Sequence, residues 1–382
     1  MEINTRKKDT LSFMGYGLTA AGIIGSYAIF SAAATGLNLL FALLCCIVCA
    51  LFSVKLKNNI LAPHPFMLVP LIYCVVLCSQ AGAVLSLSIA ALLFFICTKL
   101  RLKLYISPGA YAGLMLGFAL ATTVLLTNVY FGIGAYGATP FEMLKNYRYL
   151  GFHPNFMGLL TGTITLFTMI TYPFKFKKLS KLIPPAFITV FIPYVLNLFL
   201  NPNKKYTTIN EAQDLGKVTD FSLGEAISSI NGDNVFAIVE AAFIFFFLFF
   251  AFSQSKSDES KSVFGLSNVF SCIPSVPYKQ ERYNIVSAIT AIILCSAVIL
   301  LAPEALHRIP MHSIGAMLIV AGWQSVPFKE IGNCFKSKKA VDILSFFICA
   351  AAFVVLKAYT ATLLCLVLSL ISAPKRKEKK NA

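Results

Sequence analysis

Apolar stretches of membrane-crossing length recur along the chain from Leu11 to Ser372, broken by short polar or prolyl connections. A helix needs ~20 apolar residues to cross the hydrocarbon core at the usual rise. The pattern predicts spans at Leu11 to Ala34, Leu37 to Leu56, Phe66 to Ser79, Ala81 to Thr98, Ala110 to Val129, Phe156 to Phe174 and Pro184 to Leu200. After a long polar interval from Asn201 to Asp233, further spans follow. They are Phe236 to Phe252, Ile285 to Leu301, Ser313 to Trp323, Ile343 to Val355 and Tyr359 to Ser372. Twelve clear spans result, together with one compressed patch from Val263 to Val276 that is too short to cross twice.

Composition adds the class. Hydrophobic residues make up 58% of the 382 positions against 13% charged, and the mean hydropathy is +0.77. That balance belongs to a polytopic membrane protein and excludes a soluble domain on a single anchor. The whole chain, 1–382, reads as one transmembrane domain. It divides into a first half at about 11–200, an external loop at 201–233, a second half at about 234–373 and a basic tail at 374–382.

Charge then sets orientation. With a cytoplasmic N-terminus and a change of side at each span, 25 of the 32 Lys and Arg fall inside, in the clusters Arg6 to Lys8, Lys55 and Lys57, Lys99 to Lys103, Lys175 to Lys181, Lys256 to Arg282, Lys329 to Lys339 and Lys375 to Lys380. This is the excess expected of cytoplasmic segments. It predicts a multi-pass protein of the cell membrane with both termini cytoplasmic, and with Asn128 to Pro154 and Asn201 to Asp233 outside. The assignment requires the patch GLSNVFSCIPSVP, Gly265 to Pro277, to enter and leave on one side, as a re-entrant element or a broken pair of short helices. Irregular backbone at membrane depth survives only where protein or a water-filled cavity surrounds it, and such interruptions mark transporter binding sites.

A second interruption heads the third span, where Pro63, Pro65 and Pro70 precede and enter the apolar run. The helix there is expected to start near Phe66 after an extended approach, aiming free amide N–H groups into the protein interior. Prolines of this kind also serve only to kink. An interrupted element third in each half is nevertheless the layout of an inverted-repeat transporter, with the two elements facing each other across a polar cavity.

Residue patterns sharpen this. Ile309-Pro310, Gly315-Ala316, Leu318 to Trp323 and Lys329-Glu330-Ile331 run in order with Ala62-Pro63, Ser107-Pro108 leading to Gly113 and Gly117, Ile183-Pro184, Gly265 to Asn268 and Asp342 to Leu344. Together they resemble the membrane domain of the SulP sulfate permease and inorganic anion transporter family. The resemblance implies an all-α fold of fourteen segments in two inverted sevens, with a core domain holding substrate between the facing ends of segments three and ten and a gate domain alongside. The short span at Ser313 to Trp323 would belong to the gate. Val326 to Phe335 would be an interfacial helix with Phe328, Ile331 and Phe335 in lipid and Lys329, Lys336 and Lys338 toward water.

The chain also departs from the family. No STAS domain is expected after Ser372, the stretch from Asn268 to Tyr283 is shortened, and Phe252 stands where the family carries a membrane-embedded acid. Glu240 lies nearer the outer end of that span. It is a candidate coupling acid, or a solvated or helix-capping carboxylate. The candidate substrate-binding residues are Pro63, His64 and Phe66, Ser267, Asn268, Ser271 and Ser275, and Ser26 with Tyr27. Backbone amides and hydroxyls can replace water around an anion. His64, if protonated, would add a cation, and otherwise is a neutral histidine at an interface.

The function expected is secondary-active transport or exchange of a small, sulfate-like anion by alternating access, with H+ or Na+ as candidate coupling ions and a homodimer as a candidate assembly. Two alternatives remain: a non-transporting structural relative, and a polytopic membrane enzyme. An enzyme would need polar groups gathered at one face, whereas the histidines are scattered at 64, 153, 307 and 312. No cofactor, metal or nucleic acid is expected, since ten of the eleven cysteines lie in or against apolar spans without ligand partners.

Overall fold

The computed structural model describes residues 61–63, 105–133, 139–151, 153–176, 185–200, 232–253, 272–274, 309–324, 326–337 and 339–372, with scattered positions between 70 and 100, at 179 and between 285 and 297. In chain order the elements are β1 (Leu61–Pro63), α1 (Pro108–Phe131), α2 (Pro140–Leu150), α3 (Phe156–Lys175), α4 (Pro185–Leu200), α5 (Gly232–Ser253), β2 (Cys272–Pro274), α6 (Met311–Gln324), α7 (Phe328–Lys336), α8 (Ala340–Val355) and α9 (Ala358–Ile371). The expected helical architecture holds, with the addition of one short two-stranded ladder.

Polar caps set the boundaries that the apolar runs left open. Ser107 accepts from the amide of Ala110 ahead of Pro108, and α1 runs 24 residues to Gly132, whose φ of 67° closes the helix in the left-handed region. At ~1.5 Å per residue such a helix is ~36 Å long, enough to cross ~30 Å of hydrocarbon. Asn155 accepts from Met157 and Gly158 at the head of α3. Among the described residues, α1 and α5 are the two helices long and apolar enough to cross, and α3, α6, α8 and α9 are shorter apolar helices.

The stretch from Asn128 to Pro154, expected outside the membrane, contains α2 and the last turn of α1. Thr139 caps α2 by accepting from the Glu142 amide, with Pro140 in the first turn. Its Tyr147 hydroxyl donates to Asn128 Oδ1, which docks α2 on the end of α1. The patch from Gly265 to Pro277, expected as a re-entrant element or a broken pair of short helices, is extended where it is described, at Cys272–Pro274.

The packing is organised around α1. Gly109, Gly113 and Gly117 are spaced by four and face Asp342, Phe346 and Ala350 of α8, also spaced by four. A Cβ on Gly109 would stand 2.0 Å from the Asp342 carbonyl oxygen, on Gly113 2.3 Å from that of Phe346, and on Gly117 3.0 Å from that of Ala350. The two backbones meet directly and run parallel, an approach that only small residues allow. On another side α6 runs antiparallel to α1, with Gly315 against Leu126 and Tyr130. Aromatic side chains fill the rest: Phe118 lies 4.3 Å from Phe353, and Phe94 lies 4.9 Å from Phe250 of α5. Ser86 reaches the carbonyls of Gly82 and Ile238, at 2.7 and 3.1 Å, joining the fourth predicted span to α5.

Candidate functional site

The ladder between β1 and β2 joins segments more than two hundred residues apart in sequence. The strands are antiparallel, with Leu61 opposite Pro274, Ala62 opposite Ile273 and Pro63 opposite Cys272. A local two-fold therefore passes through the Ala62 and Ile273 pair, and each strand ends on a proline. Proline has no N–H to give a ladder, so it suits the last position of each short strand. Pairing also resolves a physical problem: extended backbone carries donors and acceptors that a low-dielectric interior leaves costly unless they meet each other.

Of the predicted site residues, Pro63 lies in β1. Glu240 lies in α5 and is half-buried. His64, Phe66, Ser267, Asn268, Ser271, Ser275, Ser26 and Tyr27 lie outside the described residues. The structure thus brings together the segment before the third span and the compressed element, at β1 and β2, and does not describe the side chains around them.

A second polar cluster, which the sequence reading passed over, sits where α1, α3 and α6 meet. His312, in the first turn of α6, is buried, and its ring lies between two glycines. A Cβ on Gly158 would stand 2.3 Å from His312 Nε2, and one on Gly132 2.9 Å. Close by, the hydroxyls of Tyr130 in α1 and Thr163 in α3 share a hydrogen bond of 2.8 Å. Asn155, Gly158 and Gly162 place the head of α3 against this cluster. The sequence signal was the histidine's place beside Ile309-Pro310 at a helix start; its glycine neighbours are far away in sequence. At the other end of α6, Trp323 Nε1 donates to Thr123 Oγ1 at 3.0 Å.

Among the described residues there is no group of three or more His, Cys, Asp or Glu placed to hold a metal ion. The arrangement is that of a helical domain in which a pair of short strands links two segments far apart in the chain.

No profile of a known protein family matches the chain, and no curated protein sequence matches it. Solved structures do. The structure of SLC26A9 superposes with a TM-score of 0.68 at 13% identity, over 94% of this chain and 64% of that one. The transmembrane domain of the cyanobacterium bicarbonate transporter BicA gives 0.62 at 13% identity, over 94% of this chain and 97% of that domain. The murine Slc26a9 anion transporter in its inward-facing state gives 0.64 at 12% identity, over 94% and 68%. This chain therefore has the multi-pass fold of those membrane domains and spans about two thirds of the SLC26A9 chain.

Proposed function

We propose that the chain is a secondary transporter of a small anion. The observation that carries this is the match over 94% of its length to BicA, a bicarbonate transporter, and to murine Slc26a9, an anion transporter. The β1–β2 ladder supports it from within the chain. Extended backbone in a helical membrane protein is tolerated only where protein or a water-filled cavity surrounds it, and such broken elements are where transporters hold substrate. That both structural neighbours are transporters supports transport over enzymatic chemistry.

In this reading the two halves, about 11–200 and 234–373, are inverted repeats, and one block of helices rocks against the other around a fixed site. The anion sits between the continuations of the two strands. It is held by amides at the start of the third span and by hydroxyls of Ser271 and Ser275, with His64 beside them. The register supports a specific pairing: one step beyond Pro63 and Cys272 stand His64 and Ser271. Backbone donors and helix ends contribute ~0.3–2 kcal/mol each, so millimolar binding, ~4 kcal/mol, fits the site. Termini on the cytoplasmic side, the loop 201–233 outside, coupling to H+ or Na+ and a homodimeric assembly belong to the same proposal.

The test is radiotracer uptake into liposomes holding the purified chain, with sulfate, bicarbonate, chloride and a dicarboxylate as the panel. One or more anions should be taken up by the parent chain, and His64→Asp or Phe66→Glu should abolish that uptake while leaving the elution profile intact, because a carboxylate repels the anion at a low-dielectric site. A parent inert to the whole panel overturns the transport reading. Folded variants that transport as well as the parent move the site elsewhere.

A further inference from the structure

The short helix α7 carries two kinds of surface that the transport reading does not use. Its Cys334 is buried and, with half-buried Ile331, packs against Ala112 of α1 and Phe346 of α8. Beside that seam, Phe328 is 59% and Phe335 40% exposed, continued by Phe347 at 57% on α8. Phe335 meets Phe346 and Phe347 at 5.2 and 6.0 Å, so this is one aromatic surface built across two helices. Lys329 and Lys336 are exposed and two turns apart, hence on one stripe, and exposed Lys339 follows before α8. On a helical projection this lysine stripe flanks Phe328 and Phe335 on the side away from Cys334. The acids nearby are half-buried Glu330 and buried Asp342.

The same end of the molecule carries more of this chemistry. The heads of α3 and α6 meet at Gly158 and His312, and α3, at 20 residues against 14, runs six residues longer than α6 toward the same side. The end of α3 presents exposed Phe174, Lys175 and Phe176. Aromatic rings with cations just beyond them suit the boundary between acyl chains and headgroups.

We propose that α7 and the start of α8 form a binding surface for anionic phospholipid, with Phe328 and Phe335 at the acyl boundary and Lys329, Lys336 and Lys339 on the headgroup phosphates. Charge complementarity selects this occupant: three exposed lysines next to exposed aromatic surface favour a negatively charged bilayer over a zwitterionic one. A soluble protein partner would leave the continuous aromatic surface from Phe328 to Phe347 to compete with the hydrocarbon it already faces. Because α7 is stitched to α1 and α8 through Cys334 and Ile331, the lipid would hold the link between α6 and α8 in place.

The chain supplies its own probe. Its single tryptophan, Trp323, stacks on Phe328 with ring centroids 6.5 Å apart and planes 11° from parallel. The full chain is reconstituted in phosphatidylcholine bilayers containing equal mole fractions of dibrominated phosphatidylglycerol or dibrominated phosphatidylcholine, and quenching of Trp323 is read. The brominated anionic lipid should quench as if enriched about fivefold or more near the indole, the factor that one lysine contributes beside an anionic surface. The combined substitution K329Q, K336Q and K339Q should bring the two lipids to equal quenching with an unchanged elution profile. Equal quenching in the parent, or a preference that survives the three substitutions, overturns the proposal. Neither outcome depends on transport activity.

Discussion

The indole N–H of Trp323 donates to the hydroxyl oxygen of Thr123, 200 residues earlier, at 3.0 Å. The Thr123 hydroxyl itself donates a hydrogen bond to the Ala119 carbonyl at 2.7 Å, so a bond inside α1 and a bond between helices share one oxygen. This fixes the end of the short helix α6 on the middle of α1. Thr123→Val keeps the shape and removes the acceptor. It should cost about 1–2 kcal/mol, the expected loss when a partly buried donor is left without its partner. Thermal unfolding in detergent, followed by Trp323 emission, measures it, and Thr123→Ser should behave as the parent does.

Two glycines should respond in opposite ways to the same change. Gly113→Ala would place a methyl 2.3 Å from the Phe346 carbonyl oxygen, where nothing flexible can yield, so α1 and α8 must separate. Little folded protein should survive on size-exclusion chromatography. Gly332→Ala in α7 meets nothing within 4 Å. It should be neutral or gain up to ~1 kcal/mol, because alanine restricts the unfolded chain and favours helix. A Gly113 variant as stable as the parent would refute the close approach of α1 and α8.

The strand register is open to a one-residue test, since Pro63 stands opposite the native Cys272. Directly opposed residues in antiparallel strands have Cα atoms ~4.5–5.5 Å apart, within the range a disulfide spans. Pro63→Cys should therefore cross-link to Cys272 under mild oxidation, seen as a disulfide-linked peptide by mass spectrometry and lost when Cys272→Ser is added. Cross-linking of the introduced thiol to any other cysteine instead would place β1 against a different partner.

Cys334 should be a slow thiol. Burial first, and the negative charge of Asp342 second, push its pKa above the ordinary thiol value. Only the thiolate reacts, so a raised pKa lowers the reactive fraction near neutral pH, and rates should climb only as pH rises past the usual thiol range near ~8.5. With the other cysteines replaced, maleimide labelling of Cys334 in α7 should be slower at pH 8 than that of a free thiol. Asp342→Asn should speed it, by removing one of the two causes.

The spans whose ends carry strong local chemistry were the legible ones. Phe156 to Phe174 was expected and Phe156–Lys175 is found, because Asn155 both stops the polar loop and caps the helix. The interfacial helix expected at Val326 to Phe335 is found at Phe328–Lys336, but Ile331, expected in lipid, packs instead against Ala112 and Phe346. Helix α2 was overlooked although Thr139 and Glu142 have capping-box spacing; its mixed composition carries no membrane signal. Strand β2 could not be read, since three residues give no period and their partner lies far away in sequence. Gly113 and Gly117 were noticed as a pattern, but that they face Phe346 and Ala350 is a fact of packing. His312 was set aside as scattered, because the two glycines that enclose its ring come from other helices. For the candidate site, the extended approach at Leu61–Pro63 and the place of Glu240 in a helix were both expected and are described.

The glycine contact of α1 with α8 has a mechanical meaning. Helices that touch through side chains can slide by small rotamer adjustments, the motion of a shear interface. Here the carbonyls of Asp342, Phe346 and Ala350 rest on bare glycine backbone, so along that line the contact is set by main-chain atoms rather than rotamers. Displacing one helix along the other would lift these carbonyls out of register with the glycines that admit them. The pair therefore moves as a single beam, and relative motion elsewhere in the molecule has to find a softer joint.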